Sequence, residues 1–367
     1  MFLRPIAIKP LAALALLLAA VSPALAQPTI EQMAGQMIVI GFQGDAADDA
    51  AVAALRDDLA ASRLGGIMYL KTNVKSLDAV RAMNAAFRAA SPDLTPFITL
   101  DQEGGAVERL TRDVGFAEVP SAADVAKAGD ADAAEATYAT MANAIADLGF
   151  SVNFGPVADI NVNPANQIIA RFGRAFGTDS QTVATYDHAF IAAHHAAGLA
   201  TALKHFPGHG SSTADSHEGF VDITKTWSEV ELDPYRALIV AGYNDFVMVG
   251  HLYHADYADA GTQTPASLSH QWITGVLREK LGFQGVVISD DLEMGAIRQH
   301  YSLHDTVTMA VRAGMDVLLF SNTAQYHASL GAEILDILVT EANADPAFAA
   351  RIEESYKRII ALKAQLG

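Results

Sequence analysis

Residues 204–217 read Lys-His-Phe-Pro-Gly-His-Gly-Ser-Ser-Thr-Ala-Asp-Ser-His and so place one lysine, three histidines and one aspartate in a single short stretch. Pro207, Gly208 and Gly210 end regular structure, so a loop is expected, following an apolar run at 200–203 that reads as the end of a strand. A loop this rich in ionisable groups suits a site better than a plain connection. The unperturbed imidazole pKa is about 6.5, so such a histidine can give and take a proton near neutrality. Asp215 and His217 are two residues apart. In extended backbone they share a side, and Asp215 can then hold the His217 ring in one tautomer. With a carboxylate on the far side of a bond, this set allows glycoside cleavage. One group protonates the leaving oxygen and the other attacks the anomeric carbon.

Such groups need rigid elements beneath them, and the chain offers a repeating pattern. Apolar, β-branched runs occur at residues 37–42, 66–70, 96–100, from 151, 201–204, 246–250, 285–289 and 315–320. Ala-rich segments such as 77–90, 131–148 and 182–197 lie between them with helical spacing of apolar residues. Alternating strands and helices imply parallel strands joined by crossovers. Eight such units point to a single-domain α/β fold, a (β/α)8 TIM-type barrel, whose strands are apolar on both faces. The alternative is an open doubly wound sheet. Against it, Gly208-x-Gly210 lacks the third glycine of a dinucleotide fingerprint, since position 213 is Thr.

Active sites of such barrels lie where the strands end at their C-terminal side. Polar residues fall in those places. They are Asp101-Gln102-Glu103 with Arg109, then Asp159, Asn161 and Arg174, the His-rich loop, His251, and Ser289-Asp290-Asp291. Adjacent Asp290 and Asp291 point to opposite sides of a strand, so one of them faces a site and the other suits a helix cap. His251 is expected beside the substrate and His254 in solvent. His209 is expected to orient the loop, and Trp227 and Trp272 to pack. The spacing His205-x3-His209 would suit a metal on a helix, but Pro207 and Gly208 preclude that helix, so no metal is expected.

The first residues carry Arg4 and Lys9, an apolar core at 11–21 and an Ala24-Leu25-Ala26 cleavage pattern. They read as a signal peptide over 1–26, leaving 27–367 as the barrel domain. There is no cysteine, so an exported chain must rely on a large core. The net charge of -18 argues against nucleic acid and anionic membrane surfaces as partners. It fits a neutral or weakly charged small-molecule substrate.

These motifs together resemble the family 3 glycoside hydrolases, and within them the single-domain β-N-acetylglucosaminidase (β-N-acetylhexosaminidase) branch. Residues 204–217 resemble that family's Lys-His-Phe-Pro-Gly-His-Gly…Asp-Ser-His signature. Residues 101–105 with Arg109, 173–177 and 289–294 match in the family's order, and the resemblance spans nearly all of 30–322. It implies a retaining exo-β-N-acetylglucosaminidase, with no cofactor expected. The signal peptide makes the protein periplasmic or secreted, and export makes cell-wall fragments or chitin oligosaccharides the expected substrates. The resemblance further implies Asp290 as nucleophile and His217 as general acid and then base, paired with Asp215. Asp101, Arg109, Lys204, His205 and Arg174 would hold the hydroxyls of the terminal sugar. One departure is Ser211-Ser212, where some relatives carry Asp-Thr. Other readings keep the scaffold: a phosphorylase using phosphate as acceptor, a β-glucosidase, or a sugar-binding protein on a retired enzyme. Oligomeric state is not legible.

Overall fold

The computed structural model describes residues 27–258, 262–323 and 325–366. The expected signal peptide lies outside the described residues. Eight parallel strands form the centre: β1 Ile38–Gly41, β2 Gly66–Met68, β3 Phe97–Leu100, β4 Val152–Asn153, β5 Ala200–Phe206, β6 Phe246–Val249, β7 Val286–Ser289 and β8 Leu318–Phe320. Their spatial order is β8-β1-β2-β3-β4-β5-β6-β7. The ring closes between β7 and β8 through a parallel bridge from Ile288 to Val317 and an Asp290-side bond from the Leu292 N–H to the Leu319 carbonyl at 2.9 Å. The protein is thus a (β/α)8 barrel. Every residue of these eight strands is buried, which is why they read as continuous apolar runs and not as alternating ones.

Helices cover the outside, and short polar side chains start them. Ser76, Asp130 and Asp179 accept the N–H of the residue three positions on, at the heads of helices Leu77–Ala90, Ala131–Asp147 and Ser180–Ala196. These are the segments expected from the spacing. At the N-terminal end of the barrel the last helix, Pro346–Lys363, turns Lys363 inward. Its ammonium donates to the Gln36 side chain at 2.8 Å and the Gly65 carbonyl at 2.7 Å. Burial lowers its pKa to about 7.

Two expectations change here. Strand β5 runs on past Lys204 through Phe206, so His205 and Phe206 belong to the strand and the loop begins at Pro207. The register shifts between Leu203 and Phe206, a bulge-like irregularity that re-aims the side chains there. His254 is 6 % exposed and not in solvent. Its ring packs edge-on against Trp227 and Tyr257, while Tyr257 stacks on Trp272 at 3.9 Å. An aromatic cluster shields it from water. Trp272 is fully buried, and the Trp227 Nε1–H donates to the Pro207 carbonyl at 3.0 Å, so both tryptophans pack beneath the loop.

Candidate active site

Five consecutive strands, β3 to β7, deliver the polar residues to one end of the barrel. Asp101 and Glu103 follow β3, two residues apart and so on one side. Lys204 lies between them, 2 % exposed, its Nζ donating to Asp101 Oδ1 at 2.8 Å and to Glu103 Oε1 at 2.6 Å. Arg109 donates to Asp101 Oδ2 at 2.8 Å. Arg174 grips Glu103 with two parallel bonds of 2.8 Å, from Nε to Oε2 and from a terminal nitrogen to Oε1. Burial alone would raise both carboxyl pKa values. Lys204 and Arg109 outweigh it at Asp101, and Arg174 and Lys204 at Glu103, so both are held below the usual carboxylate range. The result is a buried lattice of fixed charge. Asp101 has one donor on each oxygen and Lys204 one ammonium proton not used by these two acids, which leaves capacity for sugar hydroxyls.

Gln102 carries no charge, yet it sets the frame. Its Oε1 accepts the backbone N–H of Arg109 and of Leu110 at 2.9 and 3.0 Å. Its backbone is clasped by the Asn153 side chain, which accepts from Gln102 N and donates to Gln102 O, both at 2.9 Å.

Asp159 ties the next two elements together. It accepts the His209 N–H at 2.7 Å and sits 2.7 Å from His205 Nδ1. His205 Nε2 faces Arg174 at 3.3 Å. Both nitrogens of His205 therefore have protein partners, and most donors of Arg174 are spent on Glu103, His205 and the Ile168 carbonyl. These two side chains support the lattice as much as they offer contacts to a ligand. His251 differs further from expectation. It is 1 % exposed, with Nε2 against the Asp291 carbonyl and Nδ1 against Ser267 Oγ, each at 2.8 Å. A carbonyl only accepts, so Nε2 carries the proton and Nδ1 accepts from the serine. His251 cannot bond a hydroxyl without giving up a partner; it holds the end of β7 in place.

The two adjacent acids after β7 part as their alternation requires. Asp291 Oδ1 accepts from Ser321 N at 2.8 Å and Glu293 N at 3.1 Å, which makes it a turn and strand-end anchor. Asp290 faces the other way. Its Oδ1 accepts the Asp291 N–H at 2.8 Å, and its second oxygen has no protein partner among the described residues. Burial raises its pKa, but the imidazoles of His205, His251 and His217 and the Asp291 N–H outweigh that and bring it down to about 2. A charged carboxylate with one free oxygen, fixed at a strand end, is placed to attack.

His217 approaches from the loop. Its Nδ1 lies 2.7 Å from Asp215 Oδ1, which also accepts the His217 backbone N–H at 2.9 Å. The pairing outweighs partial burial and lowers the Asp215 pKa, so the acid stays ionised beside the ring. The His217 side chain is 61 % exposed, against 2 % for Lys204. Its Nε2 is left for a leaving group. The loop's root is held by residues that the sequence did not single out. Asn166 donates to the His209 carbonyl at 2.8 Å, and Glu231 Oε2 accepts the Ser211 N–H at 3.2 Å. A Cβ at Gly210 would lie 1.7 Å from the Ile160 carbonyl, so only glycine fits there.

Among the described residues no group of three or more His, Asp or Glu is placed to hold a metal ion. No helix among them is long and apolar enough to cross a membrane.

The chain is similar to known proteins in sequence and in fold. A β-hexosaminidase from Stenotrophomonas maltophilia (strain R551-3) is 34% identical over 292 residues, covering 77% of this chain and 82% of that protein. One from Xylella fastidiosa (strain 9a5c) is 34% identical over 305 residues, covering 81% and 86%. Among solved structures, a glycoside hydrolase family 3 β-N-acetylglucosaminidase from Paenibacillus sp. str. FPU-7 superposes with a TM-score of 0.82 at 32% identity. That match covers 92% of this chain, which spans 63% of the Paenibacillus chain. A β-N-acetylhexosaminidase from Beutenbergia cavernae DSM 12333 gives 0.80 at 30% identity, covering 93% of this chain and 100% of that one. The family model described as the glycosyl hydrolase family 3 N terminal domain matches residues 29–362, and the chain belongs to that family.

Proposed function

We propose that this glycoside hydrolase removes terminal β-linked N-acetylglucosamine from oligosaccharides, with retention, through a glycosyl-enzyme on Asp290. The observation that carries the proposal is the Asp290 oxygen without a partner among the described residues, at the same end of the barrel as the buried charge lattice, with the Asp215–His217 pair tied to the segment after Asp290 by the bond from the Gly295 N–H to the His217 carbonyl. The charge lattice holds the sugar. Asp290 attacks the anomeric carbon while His217 gives its Nε2 proton to the leaving oxygen. His217 then takes a proton from the water that releases the sugar. The names of the relatives support an acetamido sugar. Export by removal of residues 1–26 is part of the proposal and makes cell-wall fragments or chitin oligosaccharides the substrates.

A slow fluorinated N-acetylglucosaminide tests the nucleophile. Mass mapping should find the sugar on the peptide containing Asp290. Inhibition with no labelled peptide would mean that the substrate's own acetamido group attacks. Asp290→Ala should lower turnover on the order of 10⁴-fold or more. His217→Ala should cost on the order of 10²-fold with a phenyl leaving group, and far less with dinitrophenyl, which departs without a proton. An equal loss for both leaving groups would remove His217 as the acid.

A further inference from the structure

The loop that carries His217 has a fixed root and an exposed middle. Residues 205–212 are pinned by Asp159, Asn166, Glu231 and Trp227, and by Asn163, which donates to the Ser212 carbonyl at 2.9 Å. Residues 213–215 then make no hydrogen bond outside the loop among the described residues. The chain is caught again at Ser216 and His217, whose carbonyls accept the Ala296 and Gly295 N–H groups at 3.2 Å, at the start of the short helix Gly295–Arg298 that follows Asp290.

One side chain spans root and tip. His209 is 2 % exposed, with Nδ1 at 2.6 Å from Ser212 Oγ and Nε2 at 3.3 Å from Ser216 Oγ. Ser216 is itself 2 % exposed and immediately precedes His217. We infer that His209 is a positioning residue that latches the tip of this loop to its root through Ser216 and so sets where the His217 imidazole stands. The inference rests on the acid/base reading of His217.

Several features suit the ring to this task. Its backbone is fixed on both sides, by Asp159 at the N–H and by Asn166 at the carbonyl. Burial, joined by the neighbouring His205, keeps the ring neutral, with its pKa lowered to about 4. A neutral imidazole has one donor and one acceptor nitrogen, and a serine hydroxyl can meet either. Both contacts can thus be satisfied at once with no charge buried. The bond to Ser216 is the longer of the two and reaches the tip, where it acts with the Ala296 and Gly295 bonds, while the bond to Ser212 stays within the root. A displacement of the acid by about 1 Å is enough to cost on the order of a hundredfold in rate.

Ser216→Ala removes the latch with the least disturbance, and His209→Phe removes it while keeping an aromatic ring. Two readouts separate the latch from the acid. Amide hydrogen exchange reports the tip directly: residues 213–218 should exchange about tenfold faster in both variants, with 205–212 unchanged in Ser216→Ala. Unchanged exchange at 213–218 in Ser216→Ala overturns the latch. Hydrolysis of phenyl and dinitrophenyl N-acetylglucosaminides reports the link to catalysis. Ser216→Ala should lower kcat about tenfold for the phenyl substrate and less than about twofold for the dinitrophenyl one, in the pattern of His217→Ala. If His217→Ala shows that pattern and Ser216→Ala lowers both substrates equally or neither, His209 does not position the acid. If exchange rises but His217→Ala shows no leaving-group dependence, the acid reading fails and the latch stands.

Discussion

Two buried acids sit at opposite ends of the barrel, each ringed by cations. Asp316, just before β8 at the N-terminal end, is fully buried. Its Oδ1 accepts from Arg351, Arg358 and Ser355, and its Oδ2 from Arg278 and the Val287 N–H. Asp101, just after β3 at the C-terminal end, takes one donor on each oxygen, Lys204 and Arg109. Charge and burial barely distinguish the two. Saturation does. Every oxygen of Asp316 has at least two protein donors and nothing left to offer, whereas each oxygen of Asp101 keeps acceptor capacity. A saturated cluster fastens the helices Gln271–Lys280 and Pro346–Lys363 to the barrel floor. An unsaturated one, equally fixed, is a site for a polar ligand.

The largest effect that tests this contrast is at the floor. Asp316→Asn leaves three guanidinium groups facing a neutral amide, and breaking a buried pair in this way costs about 3–5 kcal/mol. Thermal unfolding should show a marked drop in Tm, while the folded fraction keeps the parent kcat/KM. Asp101→Asn should do the reverse. Lys204 retains Glu103, so Tm should move little. Losing a charged acceptor for a sugar hydroxyl costs about 1.5–3 kcal/mol, or roughly ten- to a hundredfold in kcat/KM. Should Asp101→Asn unfold the protein and Asp316→Asn silence it, saturation is the wrong guide.

Much of this was legible in the chain. All eight strands stand where apolar runs predict them, because burial on both faces writes itself into composition. The polar strand ends were equally plain, since Asp101, Lys204 and Asp290 each interrupt or end an apolar run. Glu103 was legible in principle: it lies two residues from Asp101 and must share its side. Asn166 and Glu231 were not. Each acts on loop backbone distant in sequence, and nothing local separates an Asn in a turn or a Glu before a helix from ordinary capping. The burial of His254 was likewise hidden, because it depends on rings at 227, 257 and 272 that only the fold assembles. His251 shows the limit of reasoning from strand ends: position brought it to the site, and only its two partners reveal that it supports β7.

A smaller effect probes what lies beneath the unsaturated end. Gln102, between Asp101 and Glu103, is clasped by Asn153, whose Nδ2 also lies 2.9 Å from His194 Nε2. His194 Nδ1 faces the Phe190 carbonyl at 2.8 Å, so that nitrogen donates and Nε2 accepts. A protonated ring would set N–H against the amide N–H of Asn153. Burial acts the same way and lowers the pKa of His194 to about 4. The unfolded chain, at about 6.5, therefore binds a proton that the folded chain refuses. This penalty is absent above about pH 6.5, grows as pH falls, and levels off below about pH 4, so stability rises with pH across that window. His209, also lowered to about 4, contributes in the same direction. Each such ring accounts for up to about 1.4 kcal/mol per pH unit inside the window. His194→Gln keeps an acceptor for Asn153 and cannot ionise. Denaturant titrations from pH 6.5 to 4.5 should show its stability falling less steeply than the parent's, by close to one proton. A parallel fall would mean that His194 is charged in the folded protein. The carboxylates nearest the active site would then rest on a third buried ion, and the floor and the mouth of the barrel would be built alike.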